Sequence, residues 1–81
     1  MDDNPQECMV LEFDKMIDAE GPQHVRNDQI VSIGADCGLT EEQSYRVFRR
    51  LLREGNIIGS PITVNEPPGF VGAWIEDVRL Q

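Results

Sequence analysis

The chain has 81 residues, enough for one compact domain with a thin core, and its net charge of −8 disfavours general attraction to nucleic acid. No apolar run approaches the roughly 20 residues of a membrane-spanning helix, and the acidic N-terminus is unlike a signal peptide. We therefore expect one soluble, cytoplasmic domain over residues 1–81, with residues 1–4 disordered, which stands alone or is the N-terminal domain of a longer protein.

Potential metal ligands are few in this sequence. The chain has two cysteines, Cys8 and Cys37, and one histidine, His24. A structural zinc site almost always takes four ligands, so we expect no metal and no cofactor. A Cys8–Cys37 disulfide is one alternative for the cysteines. Reduced thiols are the other alternative, and they fit a cytoplasmic protein better.

The first predicted element is a helix over Pro5–Glu20. Proline is typical of a first helical position, and Met9, Phe13 and Met16 recur at the spacing of one buried helix face. The opposite face carries a candidate surface for a protein partner or a homodimer, although single exposed apolar side chains are common. This surface consists of Cys8 and Leu11.

A second helix is predicted over Asp28–Cys37. It follows a break at Gly21-Pro22 and a short extended segment over residues 24–26. Gly38 is expected to end this helix, because glycine tolerates the left-handed backbone conformation of a helix C-terminus.

The third predicted helix spans Glu41–Glu54. Thr40 and Gln43 have the spacing of a capping box, in which each side chain accepts a backbone N–H of the other residue. Gly55 is expected to end the helix in the same way as the earlier glycine.

Two strands are predicted near the end of the chain, over residues 56–64 and 71–80, joined by a turn over residues 65–69. Pro61 in the first strand indicates an edge position or a bulge. Trp74 in the second strand is expected to lie in the core or half-buried on the sheet rather than to bind a ligand.

The apolar positions of these elements predict one shared core. Helical spacing supplies most of its members, and a leucine in the turn and an isoleucine at the first strand add to them. The expected core consists of Met9, Phe13, Met16, Ile30, Ile33, Leu39, Val47, Phe48, Leu51 and Ile57.

The order helix, short strand, helix, turn, helix, hairpin resembles the winged helix-turn-helix superfamily. The resemblance lies in Ile30–Ile57, with Gly38-Leu39-Thr40 at the turn and residues 51–57 like a recognition helix that leads into a wing strand. It implies an α+β fold of three helices followed by a two-stranded antiparallel hairpin, the wing. It covers about three quarters of the chain, and it indicates the fold more strongly than the function, because one fold serves many functions.

The resemblance also implies DNA binding through the third helix, whose outward face enters the major groove in DNA-binding members of the superfamily. At about 100° per residue, four arginines and Glu42 fall on that face. Arginine binds guanine edges or phosphates, and glutamine pairs with adenine. The simpler alternative is an ordinary solvated helix face with a Glu42–Arg46 pair. The candidate DNA-binding residues are Thr40, Gln43, Arg46, Arg49, Arg50 and Arg53.

Charge distribution bears on this hypothesis in both directions. Residues 41–54 hold four arginines against three acidic residues, whereas the rest of the chain holds three basic residues against twelve acidic ones. However, Glu41 and Glu42 stand at the helix start, and residues 65–72 have no basic residue, so random DNA should bind poorly. A DNA-binding domain like those of transcriptional regulators is therefore the first hypothesis, and a winged-helix module that binds a protein instead is the alternative.

The sequence contains no arrangement that indicates catalysis. It has no Ser/His/Asp or Cys/His set with a plausible partner and no glycine-rich phosphate loop. Its acidic pairs are adjacent in sequence, whereas acid–base chemistry needs carboxylates that converge on a pocket. We therefore expect a binding domain and not an enzyme.

Overall fold

The computed structural model describes residues 4–63, 65 and 71–79. Within these residues the chain forms three helices and three strands, and the predicted α+β class is confirmed. The bounds predicted for the first and third helices hold, and the second begins and ends one residue earlier than expected. The elements in chain order are α1 (Pro5–Glu20), β1 (Gln23–Arg26), α2 (Asn27–Asp36), α3 (Glu41–Glu54), β2 (Ile57–Ile62) and β3 (Gly72–Val78).

Helix α1 begins with a side-chain cap. The Oδ1 atom of Asn4 accepts hydrogen bonds from the backbone N–H groups of Gln6 at 3.0 Å and Glu7 at 3.3 Å. These bonds satisfy two of the donors that a helix start leaves without partners. Asn4, the last of the four residues for which we expected disorder, is therefore the N-cap of α1, and residues 1–3 lie outside the described part.

The turn between α2 and α3 follows the predicted pattern. Gly38 has a φ of +84°, and the N–H of Leu39 donates to the carbonyl of Gly34 at 2.9 Å. The Thr40 Oγ1 atom accepts the Gln43 N–H at 3.2 Å, and the Gln43 Oε1 atom accepts the Thr40 N–H at 3.0 Å. The capping box is therefore confirmed, and it starts α3 immediately after the turn.

The sheet has three strands within the described residues, in the order β1-β3-β2, and both pairings are antiparallel. The sheet therefore has one strand more than the expected two-stranded hairpin, because β1 pairs with β3 on the side opposite β2. Val25 of β1 lies opposite Ala73, and both side chains are buried. The sequence shows β1 only as a short extended segment, since its partner is far along the chain.

The strands are shorter than predicted. Strand β2 pairs with β3 from Ile57 opposite Val78 to Ile62 opposite Gly72, with a register shift between Ile58 and Gly59. Pro61 lies in the edge strand β2, as its lack of a backbone donor predicts. Residues 64, 66–70 and 80, which include most of the expected turn, lie outside the described residues.

The core lies between the helices and one face of the sheet. Six of the ten predicted core residues are buried, and Met16, Ile33, Leu39 and Val47 are only partly buried against them. The rings of Phe13 and Phe48 form the centre, with centroids 5.2 Å apart. The expected core omitted the strands apart from Ile57 and one residue of α1, although helical spacing places that residue on the same face as Met9 and Phe13. The missed core residues are Val10, Val25, Ala73, Ile75 and Val78.

Candidate nucleic-acid interface

Helix α3 separates its apolar and charged residues sharply. Ser44, Phe48 and Leu51 are buried against the rest of the domain. Residues three or four positions apart share a helix face, so the arginines lie together on the opposite side. All of the candidate DNA-binding residues, which are Thr40, Gln43, Arg46, Arg49, Arg50 and Arg53, are exposed.

Two of the arginines form ion pairs along the helix. The Nη2 atom of Arg46 lies 3.7 Å from Glu42 Oε2, and the Nε atom of Arg50 lies 3.6 Å from Glu54 Oε2. Glu54 also accepts a hydrogen bond from Gln6 of α1 at 3.3 Å. Exposed ion pairs of this kind contribute at most about 1 kcal/mol to stability. They favour one side-chain conformation of each arginine and leave both side chains in solvent.

The other two arginines, Arg49 and Arg53, have no ion pair with any residue that the structure describes. Both line a shallow depression with Tyr45 and Arg46. Both also line a neighbouring, mainly apolar groove between α3 and β2, which includes Pro61. Two free guanidinium groups therefore stand at the junction between the outward face of α3 and the sheet.

Tyr45 borders the same arginine face. Its hydroxyl donates to Glu41 Oε2 at 3.5 Å. Burial raises the pKa of the Tyr45 hydroxyl above its ordinary value, and the negative charge and hydrogen bond of Glu41 raise it further. The side chain therefore presents a neutral hydroxyl beside the arginines at physiological pH.

Thr40 and Gln43 are exposed, but their side chains cap the start of α3. The Gln43 Oε1 atom accepts the Thr40 N–H in the capping box. Pairing with adenine needs both the oxygen and the nitrogen of the glutamine amide. Such a contact would break the cap, whereas the Nε2 atom of Gln43 can donate to a phosphate or base while the cap stays intact.

The two residues of the predicted α1 surface differ in exposure. Leu11 is 44% exposed, as expected, and lines a depression with Val10 and Asn56. Cys8 is partly buried and lines a different depression, with Asp36 and Gly38. Of the two candidate residues, Leu11 is the exposed apolar side chain, and the partner surface stays a prediction.

Cys8 and Cys37 form a disulfide, with their Cα atoms 5.7 Å apart. Our expectation of reduced thiols was therefore wrong for this structure. The bond joins the second turn of α1 to the end of α2, immediately before the turn that leads into α3. Sequence reasoning left the pairing open, because only the packing of α1 beside α2 brings the two side chains together.

The solvent face of the sheet carries a feature that sequence reasoning missed. Trp74, for which we expected core or half-buried sheet packing, is 42% exposed in the central strand β3. Its cross-strand neighbours are His24 on β1 and Ser60 on β2, and both are exposed. Ile62 on the same face is 38% exposed. The alternation of buried and exposed residues in β3 is the signal that could have revealed this face.

Among the described residues, no cluster of three or more histidine, cysteine, aspartate or glutamate side chains could hold a metal ion. None of the helices in the described part of the chain has the length and apolar character to cross a membrane. Comparison of the chain with family models, with curated proteins and with solved structures finds no match.

Proposed function

We propose that this chain is a winged helix-turn-helix domain that binds double-stranded DNA, with α3 in the major groove. The observation that carries the proposal is the exposed arginine face of α3, on which Arg49 and Arg53 have no carboxylate partner among the described residues. Guanidinium groups bind phosphate oxygens and guanine edges with the same planar donor geometry. The proposed role is recognition without catalysis.

The order of elements supports the winged-helix assignment. Helix α2, the tight turn at Gly38 and the capped helix α3 would form the helix-turn-helix unit, and β2 and β3 would form the wing. In this arrangement the buried side of α3 packs on α1 and α2, so its arginine side faces away from the domain. A rigid helix with one free face is the geometry that enters a major groove.

The charge distribution limits how the domain would bind. Phosphate neutralisation supplies most nonspecific affinity, and only four arginines lie on α3 in a chain of net charge −8. Binding would therefore depend on a preferred sequence, in which arginine contacts to base edges add to a few phosphate contacts. We expect weak binding to random duplex and a shallow salt dependence.

The test is a fluorescence anisotropy titration with a duplex selected from a randomised pool at low salt. Arg49→Ala and Arg53→Ala are each compared with Lys15→Ala, which makes the same charge change on α1, where the exposed lysine forms an ion pair with the partly buried Glu12. If Arg49 or Arg53 contacts a phosphate, its removal reduces the slope of log affinity against log salt by about 0.9. If it contacts a base, its removal relaxes sequence preference by about 1–3 kcal/mol.

The expected result is that both arginine variants weaken binding while Lys15→Ala binds like the wild type. The proposal is wrong if the selection yields no bound duplex at low salt, where phosphate attraction is strongest. It is also wrong if the three variants lose affinity equally, because the effect would then reflect net charge alone.

A second candidate function is a winged-helix module that binds a protein. The observation that favours it is the exposed apolar surface away from α3, with Leu11 on α1 and Trp74 and Ile62 on the sheet. Buried aromatic side chains at the centre of an interface often contribute a large share of its binding energy. A chain that binds no duplex DNA at low salt would favour this candidate over the first.

A further inference from the structure

The solvent face of the sheet carries charged and apolar side chains in a defined order along β3. Trp74 and Glu76 of β3 are both exposed, and Glu76 is the extra residue at the bulge in β3, since Ile58 pairs with Asp77 and Gly59 pairs with Ile75. The pairing register places Arg26 of β1 opposite Gly72, two residues before Trp74, and Ile62 of β2 opposite Gly72 on the other side. Arg26, Ile62, Trp74 and Glu76 together form what we call the sheet-face patch.

The two apolar side chains of the sheet-face patch are open to solvent, and the exposed His24 and Ser60 flank Trp74 on the neighbouring strands. Trp74 is 42% exposed and Ile62 is 38% exposed, although both lie on a sheet whose opposite face is buried in the core. Tryptophan is enriched at the buried centres of protein interfaces, because it combines a large apolar area with few rotatable bonds. The patch is therefore suited to being covered by another protein surface.

The charges of the patch lie on opposite sides of its centre. At about 3.4 Å per residue, Arg26, which lies opposite Gly72, stands about 7 Å along the strand direction from Trp74. Glu76 lies on the other side of Trp74, two residues further along β3 at the bulge. Among the described residues, the guanidinium of Arg26 has one ion pair, an exposed and therefore weak one with Asp28 at 3.6 Å. A uniformly acidic partner surface would repel Glu76, and a uniformly basic one would repel Arg26.

A second copy of the same surface satisfies both charges. Rotation by 180° about an axis that crosses the strands above Trp74 places the two Trp74 rings against each other. The same rotation brings Arg26 towards Glu76 of the partner subunit, twice in one interface. A two-fold interface must be self-complementary in this way, and packed sheets stand about 10 Å apart, within reach of these long side chains.

We propose that the sheet-face patch is a homodimer interface, in which two copies of the chain pack sheet against sheet around paired Trp74 side chains. Each copy carries a net charge of −8, so the copies repel at long range and association depends on these local contacts. The patch differs from the α1 surface predicted from sequence and from the arginine face of α3. The proposal therefore stands or fails independently of DNA binding.

The first test measures mass by sedimentation equilibrium from about 1 µM to about 1 mM, the range of weak protein interfaces. The chain has one tryptophan, so fluorescence emission reports on the patch alone and should shift to shorter wavelength as the dimer forms. Trp74→Ser should raise the dimer dissociation constant at least tenfold. Leu11→Ser is the matched control, since Leu11 is equally exposed, at 44%, but lies on α1.

The second test exchanges the two charges between copies. Arg26→Glu and Glu76→Arg should each be monomeric at a concentration where the wild type is dimeric, because each variant brings like charges together across the interface. An equimolar mixture of the two variants should form a heterodimer with restored affinity. Both positions are exposed, and circular dichroism checks that each variant is folded.

Three results would overturn the proposal. One is a wild type that stays monomeric over the whole range with unshifted tryptophan emission. Another is loss of the dimer in Leu11→Ser but not in Trp74→Ser, which would assign the interface to α1. The last is a mixture of the two charge variants that associates no more strongly than either variant alone.

Discussion

Gly34 of α2 packs directly against Ser44 of α3, so closely that a Cβ atom on Gly34 would overlap the Ser44 side chain and lie 3.3 Å from its Cα atom. Ser44 is fully buried, and its hydroxyl donates to the carbonyl of Thr40 at 2.8 Å. The contact sets the distance between α2 and α3. It therefore also sets where the arginine face of α3 points relative to the rest of the domain.

Gly34→Ala should destabilise the domain by about 1–2 kcal/mol. Alanine normally stabilises a helix interior relative to glycine by about 0.5–1 kcal/mol, but overpacking a tight contact costs about 1–3 kcal/mol. A loss of stability would therefore indicate overpacking, and a gain would indicate that the contact has room for the methyl group. The measurement is the free energy of unfolding in urea, and the exposed Ser32→Ala in the same helix is a control expected to stay within about 0.5 kcal/mol.

A double-mutant cycle tests whether Ser44 is the cause. Ser44→Gly removes the atoms that the new methyl group would meet, so Gly34→Ala should cost less than half as much in that background. Equal costs in the two backgrounds would show that the α2–α3 contact is not the constraint.

Phe48→Ala should cost about 3–5 kcal/mol, because it removes a fully buried ring from the centre of the core and leaves a cavity beside Phe13. A domain of this size has little stability to lose, so the variant is expected to be largely unfolded at 37 °C. Phe48→Leu keeps part of the volume and should show a smaller, measurable loss in a thermal melt. Leu11→Ala at an exposed position should leave the melting temperature unchanged, and an unshifted Phe48→Ala would contradict the core assignment.

Reduction of the Cys8–Cys37 disulfide should lower stability by about 3 kcal/mol, since the bond closes a loop with a sequence separation of 29 and limits the freedom of the unfolded chain. The measurement is the urea midpoint with and without a phosphine reductant. Cys8→Ser/Cys37→Ser should match the reduced protein and should not respond to the reductant. Two reactive thiols in native protein purified without a reductant would contradict the bond. The cytoplasmic location stays a prediction.

The single tyrosine should titrate above pH 10. Burial, followed by the charge and hydrogen bond of Glu41, favours the neutral hydroxyl of Tyr45 in the folded state. The folded protein then binds the proton more tightly than the unfolded chain. Stability is therefore unaffected below the unfolded pKa of about 10 and falls as pH rises from there through the folded pKa.

Absorbance at 295 nm measures this titration directly, because tryptophan does not ionise in this pH range. Glu41→Gln should move the midpoint down towards 10 without reaching it, since burial is the larger cause. Glu54→Gln, which changes a carboxylate elsewhere on α3, should leave the midpoint where it is. A folded-state midpoint at or below 10 would refute the environment assigned to Tyr45.

The sequence by itself determined the features that depend on neighbouring residues. The bounds of α1 and α3 were predictable because their signals are local: a proline at the start of α1, the Thr40–Gln43 capping box, and Gly55 with a φ of +83° at the end of α3. The arginine face followed from helical periodicity alone. The six core residues predicted correctly lie on the helices and at the start of β2, where spacing identifies the inward side.

Only the tertiary structure decided the features that join distant parts of the chain. β1 pairs with β3 across more than 40 residues, the disulfide joins α1 to α2, and Gly34 meets Ser44 between two helices. The packing also decided which face of the sheet leaves Trp74 in solvent. Local propensity cannot encode such contacts, because the free energy of each depends on a partner that is close in space only after the chain has folded.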